Sequence, residues 1–140
     1  MSRDVVLPSG GTVRGRPLRE VPPSSADFLL ALAPGPLPPW PQRRIRWPDF
    51  WVPTDGRDAR DALTETLARV HQGQLVEIGC RGGVGRTGTA MAALAVLDGL
   101  APRAAVRWVR TAYHPRAVEM PWQAWWLRTL PRRESPGRTS

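Results

Sequence analysis

The sequence predicts an α/β domain with a mainly parallel central sheet flanked by helices. Three observations predict it. Short apolar runs alternate with amphipathic runs of helical length, the pattern of a layered α/β chain. The run Leu75–Cys80 reads as a buried parallel strand that passes through a glycine-rich loop into an alanine-rich helix. The 140 residues suit one domain around one core.

The elements follow in order. Val5-Val6-Leu7-Pro8 and Thr12-Val13-Arg14-Gly15 flank Ser9-Gly10-Gly11, a hairpin signal. Residues 33–41 hold five prolines and predict an extended, irregular connection. Arg44-Ile45-Arg46-Trp47 suits a short strand. Thr54 or Asp55 can cap a helix running to about His71. Ala59, Ala62, Leu63, Thr66, Leu67 and Val70 form its apolar stripe, and Gly73 ends it. After the strand Leu75–Cys80, a helix from about Thr87 to Leu97 lays Ala90, Ala93, Leu94 and Leu97 on the sheet. Pro102 opens a helix over 102–113. A last helix starts near Pro121, with Trp122, Trp125, Trp126 and Leu130 expected as a core-facing stripe. Residues 1–130 are expected to form the domain, and 131–140 a disordered polar tail. No internal repeat is present.

Composition narrows the class. The charge of +8 rests on arginine alone, because the 20 basic residues include no lysine. Such a field attracts phosphorylated or acidic partners. Nucleic acid is disfavoured, since no helix-turn-helix, zinc or aromatic RNA-binding spacing accompanies the charge. The single cysteine excludes an intramolecular disulfide framework and fits a reducing compartment. It also excludes a reductase that relays electrons among its own thiols. No N-terminal apolar segment resembles a signal peptide, and the longest apolar run, Ala90–Leu97, is far too short to span a bilayer. A cytoplasmic protein without membrane partners is expected.

The chemistry concentrates in Cys80-Arg81-Gly82-Gly83-Val84-Gly85-Arg86-Thr87. A loop of this kind turns successive backbone N–H groups inward, and the helix after it adds its positive N-terminal end. The resulting pocket suits a tetrahedral dianion, gripped by the planar fork of Arg86, with Cys80 beneath it as a thiolate. Spacing alone is weak: with 20 arginines in 140 residues, an arginine six places after the cysteine arises by chance about one time in seven. The plainer reading makes Cys80 a small buried hydrophobe and Gly82-Gly83 an ordinary turn.

A second element decides between them. Trp47-Pro48-Asp49-Phe50 lies upstream, with Asp49 31 residues before Cys80. With both segments in this order, the chain resembles the protein tyrosine phosphatase superfamily, in a small dual-specificity-like form. Its hallmarks are a Cys-x5-Arg-[Ser/Thr] phosphate loop and a Trp-Pro-Asp loop carrying a general acid. Ala117-Val118-Glu119-Met120-Pro121-Trp122-Gln123 resembles a downstream stretch whose glutamine positions water. The resemblance covers roughly residues 45–127 and implies a three-layer phosphatase-type fold.

It also implies roles. Cys80 would attack phosphorus, and Asp49 would serve as acid and then base. The amides of Arg81, Gly82, Gly83, Val84, Gly85 and Arg86, with the Arg86 guanidinium, would bind the phosphoryl oxygens. Thr87 would donate to the cysteine sulfur, and Gln123 would hold water or occupy a solvated helix position. No cofactor or metal is implied, and His71 and His114 lack partners with ligand spacing. Phosphate, sulfate and arsenate are expected site ligands.

One departure stands out: Gly79 occupies the place where the family usually has histidine. The helix N-terminus, the loop amides and Arg86 still support a thiolate, so a working nucleophile is expected. The alternative is a catalytically weak phosphate-binding module. The substrate stays open among phosphotyrosine, other phosphoprotein and small phosphorylated metabolites. Lipid phosphatases of the superfamily carry basic residues at the first and fourth spacer positions, whereas here these are Arg81 and Val84.

Overall fold

Arg3–Val6 (β1) and Thr12–Pro17 (β2) form the antiparallel hairpin around Ser9-Gly10-Gly11 in the computed structural model, which describes residues 2–132. Gly10 turns the chain with φ +105°, a conformation open to glycine. β2 lies parallel to Val76–Cys80 (β5), β5 lies parallel to Phe28–Ala31 (β3), and β3 lies parallel to Gln42–Arg44 (β4). The sheet order is β1-β2-β5-β3-β4. β5 is therefore central and buried along its whole length, which is why it reads as a near-continuous apolar run.

Two strand expectations need correction. Phe28–Ala31 is a fully buried strand that the sequence reading did not place. Four apolar residues carry no period that separates strand from helix; pairing with β5 decides the matter. β4 spans Gln42–Arg44, not Arg44–Trp47. One further ladder bond, from Ile45 N–H to the Ala31 carbonyl (2.9 Å), ends the pairing. The chain then leaves the sheet, which brings the Trp47 carbonyl to Arg86.

The first helix, Gly56–His71 (α1), starts at Asp55, whose Oδ1 accepts from Asp58 N–H at 3.1 Å. Its six expected apolar positions are all buried, and Gly73 follows with φ +84°. Gly85–Leu97 (α2) is buried at every residue, with α1 and α3 (Pro102–Ala112) packed beside it. α2 also packs on the sheet face that carries Val13, Gly15 and Ile78.

The opposite sheet face holds an ionic cluster. Glu77 accepts from Arg14 (2.6 Å), Arg16 (2.7 Å) and the Trp40 indole (3.1 Å). Arg14 also donates to Ser24. The proline-rich connections thus close this face, completing the three-layer α/β fold of phosphatase type.

Pro121–Trp126 (α4) continues into a 3-10 turn over Leu127–Thr129. The expected tryptophan stripe is not its core face. Gln123 and Leu127, four apart, are fully buried, while Trp122 and Trp126 are half-buried and Trp125 is 59% exposed. Six residues make under two turns, so one short inward face serves the whole helix. Of the expected tail, Arg132 donates to the Gly99 carbonyl (2.7 Å); residues 133–140 lie outside the described residues.

Candidate active site

Cys80 ends β5, and the chain turns through Arg81–Val84 into α2. This is the C-terminal edge of a parallel sheet, where open α/β folds place their ligand sites. Cys80 is buried, and its sulfur is the focus of the loop. Gly83 N–H points at it from 3.2 Å, and the Thr87 hydroxyl donates to it at 3.0 Å. Gly83 adopts φ +72°, and a Cβ there would lie 2.6 Å from the Pro17 nitrogen, so this position takes no side chain.

α2 begins at Val84 with no side-chain cap and no acidic residue in its first turn. The first N–H groups of a helix have no intrahelical acceptor, and their partial positive charge favours an anion. Gly82, Gly83, Val84 and Gly85 belong to this loop and helix start, so the helix begins two residues before the expected Thr87.

Arg86 is buried, with its guanidinium turned across the sheet edge. Nη1 donates to the Trp47 carbonyl (2.9 Å) and reaches the Leu32 carbonyl at 3.5 Å. Nε lies 3.4 Å from Asp49 Oδ1, an ion-pair distance without hydrogen-bond geometry, and is otherwise unpartnered. Asp49 is exposed, and its Oδ1 also accepts the Phe50 N–H at 3.0 Å. A cleft of about 360 Å³ is lined by Ala33, Pro34, Asp49, Arg81 and Arg86. The fold thus brings a carboxylate and, 32 and 37 residues further along the chain, two arginines to one opening.

Gln123 is placed differently. Its carbonyl accepts the Met120 N–H (3.1 Å), and its amide donates to the Trp51 carbonyl (3.0 Å). The side chain is fully buried, so it is not a solvated helix position, and it does not line the cleft. Among the described residues, no grouping of three or more His, Cys, Asp or Glu forms a metal-type cluster. His71 does have partners: Ser9 Oγ at 3.1 Å and Asp98 Oδ1 at 3.0 Å. Both use Nε2, so the trio cannot relay a proton through the ring and instead ties the hairpin to the ends of α1 and α2.

Sequence reasoning missed Tyr113. Its hydroxyl donates to the Gly83 carbonyl, holding that oxygen away while Gly83 N–H faces the sulfur. Burial, and after it the neighbouring Cys80, pushes its pKa well above the ordinary tyrosine value. The signal was available: Ala105, Val109 and Tyr113, four apart, are the buried stripe of α3 and its cap.

A mainly parallel sheet whose central strand ends in a cysteine and passes through a glycine-rich loop into a buried helix defines the class of α/β fold. A family model described as a Swiss Army Knife protein, DSP-PTPase phosphatase domain (PTP-SAK) matches residues 45–135, and the chain belongs to that family. It is a protein-tyrosine-phosphatase-like phosphoric monoester hydrolase. The structure is similar to that of Tk-PTP in its active form, at 29% identity and TM-score 0.67, covering 75% of this chain and 78% of that one. It is also similar to kinase associated phosphatase with its catalytic-site cysteine changed to serine. There the identity is 12%, the TM-score 0.71 and the coverage 91% of each chain, a likeness of fold. The core catalytic domain of the PP-IP phosphatase SIW14 from S. cerevisiae, in complex with citrate, shares the fold at 16% identity. Its TM-score is 0.57, with 76% of this chain and 68% of that one covered. No match was found among curated protein sequences.

Proposed function

We propose that the chain hydrolyses phosphoprotein monoesters, at phosphotyrosine or with dual specificity, through a phosphocysteine at Cys80. The observation that carries this reading is the convergence on one sulfur of the Gly83 amide and the Thr87 hydroxyl, at the buried start of α2. In the first step the Cys80 thiolate forms an S–P bond and the ester P–O bond breaks. Asp49 gives its proton to the leaving oxygen. In the second step water attacks phosphorus, Asp49 takes back a proton, and the S–P bond breaks to release phosphate. Thr87 donates to the departing sulfur. The loop amides and the Arg86 guanidinium balance charge on the phosphoryl oxygens in both steps, the dominant electrostatic contribution. Arg81, exposed at the cleft, adds positive charge for the incoming dianion.

The test is phosphate release from para-nitrophenyl phosphate and from phosphopeptides. Cys80→Ser should abolish turnover and retain binding of sulfate, phosphate or arsenate. Asp49→Ala should lower kcat by roughly 10²–10⁴, the usual worth of a positioned acid. Turnover that survives Cys80→Ser would overturn the mechanism. Phosphopeptide binding without turnover in the unaltered chain would favour the phosphate-binding module.

A further inference from the structure

We infer that α4 tethers the Asp49 loop, with Trp122 and Gln123 as positioning residues that hold the carboxylate beside Arg86; this rests on the reading of Asp49 as the general acid. The Trp122 indole donates to the Phe50 carbonyl at 2.7 Å. The Gln123 amide donates to the next carbonyl, that of Trp51, at 3.0 Å. The Trp51 carbonyl also accepts the Trp47 indole N–H at 2.7 Å, so both ends of the loop meet at one oxygen. Two ring contacts join the same elements, each with centroids 5.3 Å apart: Trp51 with Trp122, and Trp47 with Trp126.

These tethers fall where the backbone needs them. Phe50 has φ +60°, a left-handed conformation that a residue with a side chain keeps only when its surroundings over-determine it. Trp122 fixes the carbonyl that follows this dihedral, and Asp49 Oδ1 receives the N–H that precedes it. The Asp49 side chain is itself half-exposed and, among the described residues, meets Arg86 and the adjacent amide alone, so its place is set through the loop backbone. Gln123 is anchored in turn by the Met120 N–H and complete burial, which leaves its amide one fixed direction. Trp125, by contrast, is the exposed tryptophan of the helix.

A double-mutant cycle separates positioning from general structural support. Trp122→Phe keeps an aromatic ring beside Trp51 and removes the indole N–H. Its kcat for phenyl phosphate should fall roughly threefold to tenfold, the rate equivalent of one hydrogen bond. The loss should be smaller for para-nitrophenyl phosphate, whose leaving oxygen needs less protonation, with KM little changed. In the Asp49→Asn background, Trp122→Phe should cause no further loss. An equal loss in both backgrounds, or none in either, overturns the tether while leaving the acid intact. If Asp49→Asn alone costs nothing, the acid reading has failed and the tether falls with it. Should Trp122→Phe not fold, Gln123→Met removes the neighbouring tether and enters the same cycle.

Discussion

Gly79 stands where the resemblance leads one to expect histidine, and Leu18 fills the space that a side chain would need. A Cβ on Gly79 would lie 2.5 Å from Leu18 Cδ2 and 3.1 Å from the Arg16 carbonyl oxygen. The obstacle is packing and not backbone conformation, because Gly79 is absent from the left-handed glycines of the described residues. Gly79→Ala should therefore lower stability by about 1–3 kcal/mol, the usual cost of overpacking. Denaturant unfolding of Gly79→Ala, Leu18→Ala and the double variant checks it. The double loss should be smaller than the sum of the singles, and strict additivity would count against the clash. Tyr113 gives a pH prediction at the same scale. Its pKa is raised in the folded chain, first by burial, so the native state keeps a proton that the unfolded chain releases near the ordinary value of ~10. That stabilisation is complete below ~10 and is lost as pH rises towards the folded value. Tyr113→Phe should flatten the alkaline fall in stability, measured by denaturant unfolding across that range. Because Tyr113 is the only tyrosine, its ultraviolet titration reads the shift directly.

β5 does two jobs as an element. Its Cys80 end presents the sulfur, and its middle carries Glu77 into the cluster with Arg14 and Arg16. Burial of three charges is tolerated because Glu77 receives both guanidinium groups and the Trp40 indole. Glu77→Gln leaves two buried arginines without a carboxylate and should cost roughly 3–5 kcal/mol, read from the denaturation midpoint. A change under about 1 kcal/mol would mean that water or the Ser24 contacts replace the carboxylate. Elements differ in how plainly they were written in the sequence. α1 was legible because sixteen residues repeat one stripe and Asp55 and Gly73 mark its ends. β3 was not, because four residues hold no period. α4 misled, because tryptophans signal burial by composition while the short helix turns Gln123 and Leu127 inward.

At the scale of the whole molecule, the charge of +8 favours anionic substrates. Among the described residues, no helix is long and apolar enough to cross a membrane. The sequence by itself determined the α/β class, the hairpin, three long helices, the central strand and the two motifs around Asp49 and Cys80. These are local properties: periodicity, caps and glycine placement act over a few neighbouring residues. Tertiary structure alone decided which side chains meet. It brought Arg86 from α2 to the Trp47 carbonyl and Asp49, and the Tyr113 hydroxyl to Gly83. It also set Leu18 against Gly79 and buried Gln123 with its amide donating to the Trp51 carbonyl. Each of these contacts joins segments far apart in the chain, and their geometry depends on strand order and helix packing rather than on any local pattern.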